Sequence, residues 1–304
     1  MFNQKFARIL SQLVVRDLTS IKNSANARMV ETFSDSIFYP RSLNVTSKTE
    51  EVTIQVCDQE PFLRNLLGEA NKFYLGSRLS FRRSLQGLDK NLSWQVIECY
   101  YSAYYAIHYL SRMTGLGLIN LDEAVARKLE INSLGNIQKN SISTGLYLME
   151  FDQSSSDLKL TRQIDKKKGG SHQDAWRMWS LIIDQMIEKM NSDSDEYVKE
   201  QIDLLEHKKY VKDLRPPSVR GEINYQFKGG LWIFEGKKSS FKTIISKALE
   251  DDTVLFNSSD PLLKFIYHNK SIIFTANLFF ESIVSRNPGS ICSGIKNKYK
   301  DYIL

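Results

Sequence analysis

Residues 94–113 read WQVIECYYSAYYAIHYLSRM, a run with five tyrosines and neither glycine nor proline. A stretch this apolar and aromatic cannot face water along its whole length, so it predicts a buried helix at the centre of the fold. Ser102, Ala103 and Ala106 interrupt the large rings and let a neighbouring helix approach closely. Across the 304 residues glycine (15) and proline (6) are sparse, and apolar residues recur at spacings of three and four. The pattern predicts a mainly α-helical protein with room for a small β content. Further helices are expected over 4–21, 61–85, 173–190, 196–210, 241–249 and 260–284, with shorter ones near 121–129 and 141–149. The alternation of Val52, Ile54 and Val56 in TSKTEEVTIQVC is β-prone. No repeat of a solenoid's length recurs.

Several function classes are set aside by what is missing. No GxxxxGK[ST], GxGxxG after a strand, HExxH, GxSxG or CxxC stands in the sequence, so a P-loop nucleotide hydrolase is excluded. Only His108, His172, His207 and His268 are present, none with a second histidine or a cysteine at helical ligand spacing. No metal or other cofactor is therefore expected. Cys57, Cys99 and Cys292 are too few and scattered for a disulfide framework, which favours a reducing compartment. No apolar run reaches a membrane span, and Gln4, Arg8 and Gln12 break up the start where a signal peptide would be apolar. A cytoplasmic protein without membrane contact is expected. The net charge of +6 and pI near 9.0 lean toward anionic partners, RNA among them.

Two segments in this order resemble the HEPN superfamily, the helical-bundle domains of prokaryotic toxin-antitoxin and antiviral systems. Residues 98–115, ECYYSAYYAIHYLSRMTG, look like its central YYAxxH-type helix closing on a glycine. Residues 220–225, RGEINY, look like a degenerate form of its R-x4-6-H motif, with Tyr225 where the histidine would stand. The resemblance covers roughly 61–284 and implies a HEPN-like helical bundle over 59–304, with insertions near 115–170 and 228–259 and an N-terminal extension over 1–58. It implies a component of a defence or toxin-type system that binds RNA or a partner protein, or pairs as a homodimer. Its catalytic form is a metal-independent ribonuclease. The alternative is a catalytically silent assembly subunit.

The residues themselves leave both readings open. Arg220 offers a permanently charged planar fork suited to a phosphate or a carboxylate. In the catalytic reading Arg220, Asn224, Tyr225 and Glu98 form the site, with Arg220 on the scissile phosphate and a histidine or tyrosine moving the 2′-hydroxyl proton. Tyrosine is a poor base at neutral pH, and His108 or His207 could substitute only if the fold brings one close. In the structural reading Arg220 pairs with Glu98 or Glu222, Asn224 caps a helix and Tyr225 packs. Lys208, Lys209, Lys212 and Arg215 precede the motif and are candidate RNA contacts. Lys166, Lys167 and Lys168 form a second basic run before two glycines, readable as a solvated loop. Arg78, Arg82 and Arg83 with Lys72 extend a third basic face or snorkel at the surface. His172, after a glycine pair, reads as a helix cap or contact residue.

Overall fold

Small residues set the spacing of the two helices that organise this molecule. A computed structural model of the chain describes residues 4–23, 29–33, 35, 37–87, 91–164, 170–191, 198–232, 235, 239–252 and 258–303. In order these form α1 (Gln4–Leu13), α2 (Met29–Thr32), β1 (Phe38–Val45), β2 (Thr49–Val56), α3 (Gln59–Ser84), α4 (Leu92–Met113), β3 (Leu116–Leu121) and α5 (Glu123–Asn132). Then follow β4 (Gly145–Asp152), β5 (Asp157–Gln163), α6 (Ser171–Asn191), α7 (Val198–Leu214), α8 (Pro216–Tyr225), α9 (Ser239–Glu250), α10 (Pro261–Arg286), α11 (Ile291–Lys298) and α12 (Lys300–Ile303). The Asp58 side chain accepts the Glu60 N–H to start α3. Where α3 meets α4, the Ser77 and Ser102 hydroxyls lie 3.2 Å apart and Ser102 donates to the Ser77 carbonyl at 2.8 Å. Two hydroxyls at this contact let the backbones close in without leaving a buried donor idle.

Around this pair α10 covers one side. Tyr74 of α3 stacks on Phe280 with centroids 3.8 Å apart and donates to Asn277 Oδ1 at 2.9 Å. On another side Trp176 of α6 stacks on Tyr100 of α4. Helix α4 ends at Gly115, whose φ of +81° turns the chain directly into β3. A Cβ at that position would meet the Phe151 carbonyl oxygen at 3.1 Å, so the turn has no room for a side chain.

The five strands form one antiparallel sheet in the order β1-β2-β5-β4-β3. Val52, Ile54, Val56, Tyr147, Met149, Leu158 and Leu160 form its buried face. Phe62 of α3 wedges against that face, 4.5 Å from the Phe151 ring and 6.2 Å from Phe38. On the same face the Glu50 carboxylate, 2% exposed, accepts the Ser143 N–H at 2.8 Å and the Tyr147 hydroxyl at 2.6 Å, tying β2 to the β4 end.

This sheet corrects the expectation of a mainly α-helical bundle: the fold is α+β. Residues 116–163, read from sequence as an insertion, supply three of the five strands. The helix expected near 141–149 is β4, and the polar DQSSSD stretch is the β4–β5 turn, where Asp152 accepts from the Ser154 N–H and Ser156 takes φ +58°. The helix expected near 121–129 is α5, started by Asp122 accepting the Val125 N–H. Residues 38–56 of the supposed extension form the β1–β2 hairpin and pair with β5, while α1 packs on α6 and α10. Pro216 and Pro217 open α8 rather than merely ending α7, because a first helical turn needs no N–H from either. No described helix is long and apolar enough to cross a membrane.

Candidate functional site

RGEINY lies on α8, and the helix aims its arginine at the tyrosines of α4. Arg220 Nη1 donates to the Tyr101 hydroxyl at 3.2 Å, and its guanidinium carbon sits 5.9 Å from the Tyr100 ring centre and 6.0 Å from that of Tyr101. Tyr225, one and a half turns further along α8, lies 5.5 Å from the same guanidinium and is 68% exposed. A cation held over ring faces keeps its charge while leaving N–H groups to offer elsewhere. Arg220 Nε is buried without a hydrogen-bond partner among the described residues.

A histidine does stand near this arginine, across the shared tyrosines, and it is His172, from the start of α6. Its Nδ1 lies 3.0 Å from the Tyr100 hydroxyl, and its ring is 4.5 Å from Tyr104 and 5.8 Å from Tyr101. Trp176, one turn along α6, donates its indole N–H to the same Tyr100 hydroxyl at 3.4 Å. Arg220 and His172 thus share Tyr100 and Tyr101 as a common support. Burial, then the Arg220 charge, lowers the His172 pKa below the usual histidine range. The imidazole is therefore neutral at pH 7, free to accept a proton. Burial chiefly raises the Tyr100 and Tyr104 hydroxyls, keeping both protonated.

The other expected site residues are distributed differently. Glu98 pairs with Arg83 at 3.5 Å and Arg220 bonds a tyrosine, so the Arg220–Glu98 pair of the structural reading does not form. Asn224 is half-buried on α8. His108 lies inside α4's buried face, 3.2 Å from Arg112 Nη1 and stacked on Phe73. His207 faces His268 between α7 and α10, Nδ1 to Nδ1 at 3.2 Å. Neither shares the Tyr100–Tyr101 support of Arg220. Lys208 and Lys212 of α7 and Arg215 just beyond it follow one another at four and three residues, Lys208 pairing with Asp184, while Lys209 lines a cleft toward α10. Lys166, Lys167 and Lys168 lie outside the described residues. Arg82 donates to the Asp301 carbonyl of α12.

Sequence reasoning missed His172 as a partner of Arg220, along with Tyr100, Tyr101, Tyr104 and Trp176 as its frame. The two polar groups stand on different helices 48 positions apart, with no local motif to join them. Beside the pair runs an exposed aromatic strip: Tyr225, Phe227 (50% exposed) and Trp94 (47% exposed), with Trp232 edge-on to both Phe227 and Trp94. Among the described residues no group of three or more His, Cys, Asp or Glu side chains is placed to hold a metal ion. Compared with known proteins, the chain matches no family model, no curated protein and no solved structure.

Proposed function

We propose that this chain binds single-stranded RNA, with Arg220 holding a backbone phosphate and the neighbouring aromatic strip stacking bases. The observation that carries this reading is the half-buried Arg220 guanidinium itself, held on the Tyr101 hydroxyl and 5.5 Å from the exposed Tyr225 ring. Phosphate is the ligand that answers a planar donor fork, and exposed rings stack bases without regard to sequence. Lys212 and Arg215, exposed just ahead of α8, extend the positive potential.

The second reading, cleavage of that RNA, is favoured by the neutral His172 beside Arg220. In the tautomer whose Nδ1–H donates to the Tyr100 hydroxyl, Nε2 is left to take the proton of a ribose 2′-hydroxyl. The 2′ oxygen then bonds to the adjacent phosphorus, the bond from phosphorus to the 5′ oxygen breaks, and the imidazolium returns the proton to that leaving oxygen. Arg220 would offset the charge gathering on the phosphoryl oxygens.

Fluorescence anisotropy with a labelled single-stranded RNA tests the binding. Arg220→Ala is expected to weaken affinity about 10- to 100-fold, the loss of one hydrogen bond to a charged group, and to reduce the salt slope by about 1. Unchanged affinity and slope in the folded variant would remove the RNA site from Arg220. In a gel assay of the same RNA, His172→Ala is expected to slow strand scission by about 100-fold or more while leaving binding nearly intact. Uncut RNA with the wild-type chain would reject cleavage and keep binding, and absence of both would leave the assembly role.

A further inference from the structure

Whether His172 can act as a base depends on where its single proton sits, and its hydrogen-bond partner decides that. A neutral imidazole carries one N–H and one bare nitrogen, and the group bonded to Nδ1 selects between the two forms. That group is the Tyr100 hydroxyl, 3.0 Å away. Tyr100 is completely buried, and among the described residues its hydroxyl has two partners, His172 Nδ1 and Trp176 Nε1. No described carboxylate bonds the imidazole, which lies against the rings of Tyr101 and Tyr104.

The two partners of Tyr100 are not equivalent. An indole N–H only donates, so Trp176 takes a lone pair of the Tyr100 oxygen at 3.4 Å and offers nothing to the hydroxyl proton. The Tyr210 hydroxyl faces Tyr100 and Cys99 but hydrogen-bonds no described residue, so it does not take that proton either. His172 Nδ1 is the acceptor that remains. If Nδ1 carried hydrogen instead, both partners would donate to one buried oxygen and the Tyr100 proton would have nowhere to go. An unmet buried donor is costly enough to hold that tautomer to about one part in ten or less.

We infer that Tyr100 is a positioning residue that holds His172 as its Nε2–H tautomer, the form that cannot act as a base, and so restrains cleavage at this site. The tautomer stands on the hydrogen bonds alone, while the restraint rests on the cleavage reading proposed above. Nδ1 faces Tyr100, so Nε2 is the nitrogen left for a substrate. To take a 2′-hydroxyl proton it needs a bare lone pair, and in the major tautomer it already carries hydrogen. A bound RNA therefore waits on the minor tautomer, and its scission is slowed by the scarcity of that form. Trp176 contributes by filling the Tyr100 oxygen without accepting from it.

Long-range proton–nitrogen correlation NMR of the isotope-labelled full chain at pH 7.5 reads the tautomer directly, with His172→Ala identifying the His172 signals. Nε2 is expected at the shift of a protonated ring nitrogen and Nδ1 at that of a bare one. Tyr100→Phe removes the hydroxyl and is expected to move both signals toward the average of the two tautomers. A wild-type spectrum with the hydrogen on Nδ1 overturns the inference without any variant, and so do signals unmoved in the folded Tyr100→Phe chain. Single-turnover scission of a labelled single-stranded RNA, with protein saturating, tests the restraint. Tyr100→Phe is expected to cut about fivefold faster or more, as the basic tautomer rises from about a tenth to about half. A rate unchanged or lowered in that variant, with its tautomer shifted, overturns the restraint. Uncut RNA from both chains rejects the cleavage reading, and the spectra still decide the role of Tyr100.

Discussion

Replacing Arg112 with methionine is expected to lower the free energy of unfolding by about 3–5 kcal/mol, the cost of breaking a buried ion pair from one side. Arg112 is 2% exposed, on a helix that is otherwise almost wholly apolar. Its guanidinium reaches Glu69 of α3, lies 3.2 Å from His108 Nδ1, donates to the Leu118 carbonyl of β3 at 3.2 Å and lies over the Phe73 ring at 4.4 Å. One side chain therefore clamps the α3–α4 pair to the first strand after it, which is where the helical and sheet halves join. Methionine fills much the same length but leaves the Glu69 carboxylate largely shielded from water with no cation. Urea unfolding of Arg112→Met, Glu69→Gln and the double variant gives the coupling directly. The double variant is expected to recover a large part of the loss, since no lone charge then remains. A single-variant cost below about 1 kcal/mol, the level of an exposed pair, would show that water reaches the clamp.

The helices were legible for a physical reason that did not extend to the sheet. Residues 94–113 are too apolar to be anything but buried, and Ser102 and Ala103 marked the face where another helix could come close. Val52, Ile54 and Val56 likewise alternated clearly, because β2 has one face on the core and one toward water. In β4, Leu146 and Leu148 are half-buried on the face opposite Tyr147, Met149 and Phe151, so GLYLMEFD lost its two-residue period and looked like a helix. The neighbouring β5 is short and carries Lys159 and Arg162 among its apolar residues. Pairing energy between distant strands leaves no mark in either segment alone. The same limit hid half of the candidate site. Arg220 was visible as a lone cation in a helix start, but His172 becomes its neighbour only because α6 and α8 both pack on Tyr100 and Tyr101. Tyrosines that read as core filling turn out to be the frame that brings two polar groups together.

Acid should weaken the fold well before carboxylates begin to protonate, and the buried histidines between α7 and α10 are the reason. His207 and His268 are 3% and 2% exposed, face each other through Nδ1 atoms 3.2 Å apart, and stand beside the Ser271 hydroxyl, 3.2 Å from His207 Nδ1. Burial pushes His207 down to about 3, and burial with the neighbouring His207 and Lys264 pushes His268 lower still. In the unfolded chain both titrate near 6.5, so below that pH the unfolded state binds protons that the native state refuses. Stability is then full above about pH 6.5 and falls as the pH drops toward 3, by about 1.4 kcal/mol per pH unit for each histidine. Between pH 7.5 and 5.5 the pair alone is expected to remove about 3 kcal/mol, measurable by urea unfolding at the two values. His268→Phe keeps a ring on Tyr210 but cannot take up a proton in either state, so it should cut the pair's share of that loss by about half. An unaltered pH dependence in this variant would mean that His268 binds its proton in the native state, which would require water or an acid to reach it through the cleft where Tyr210 and Lys264 stand.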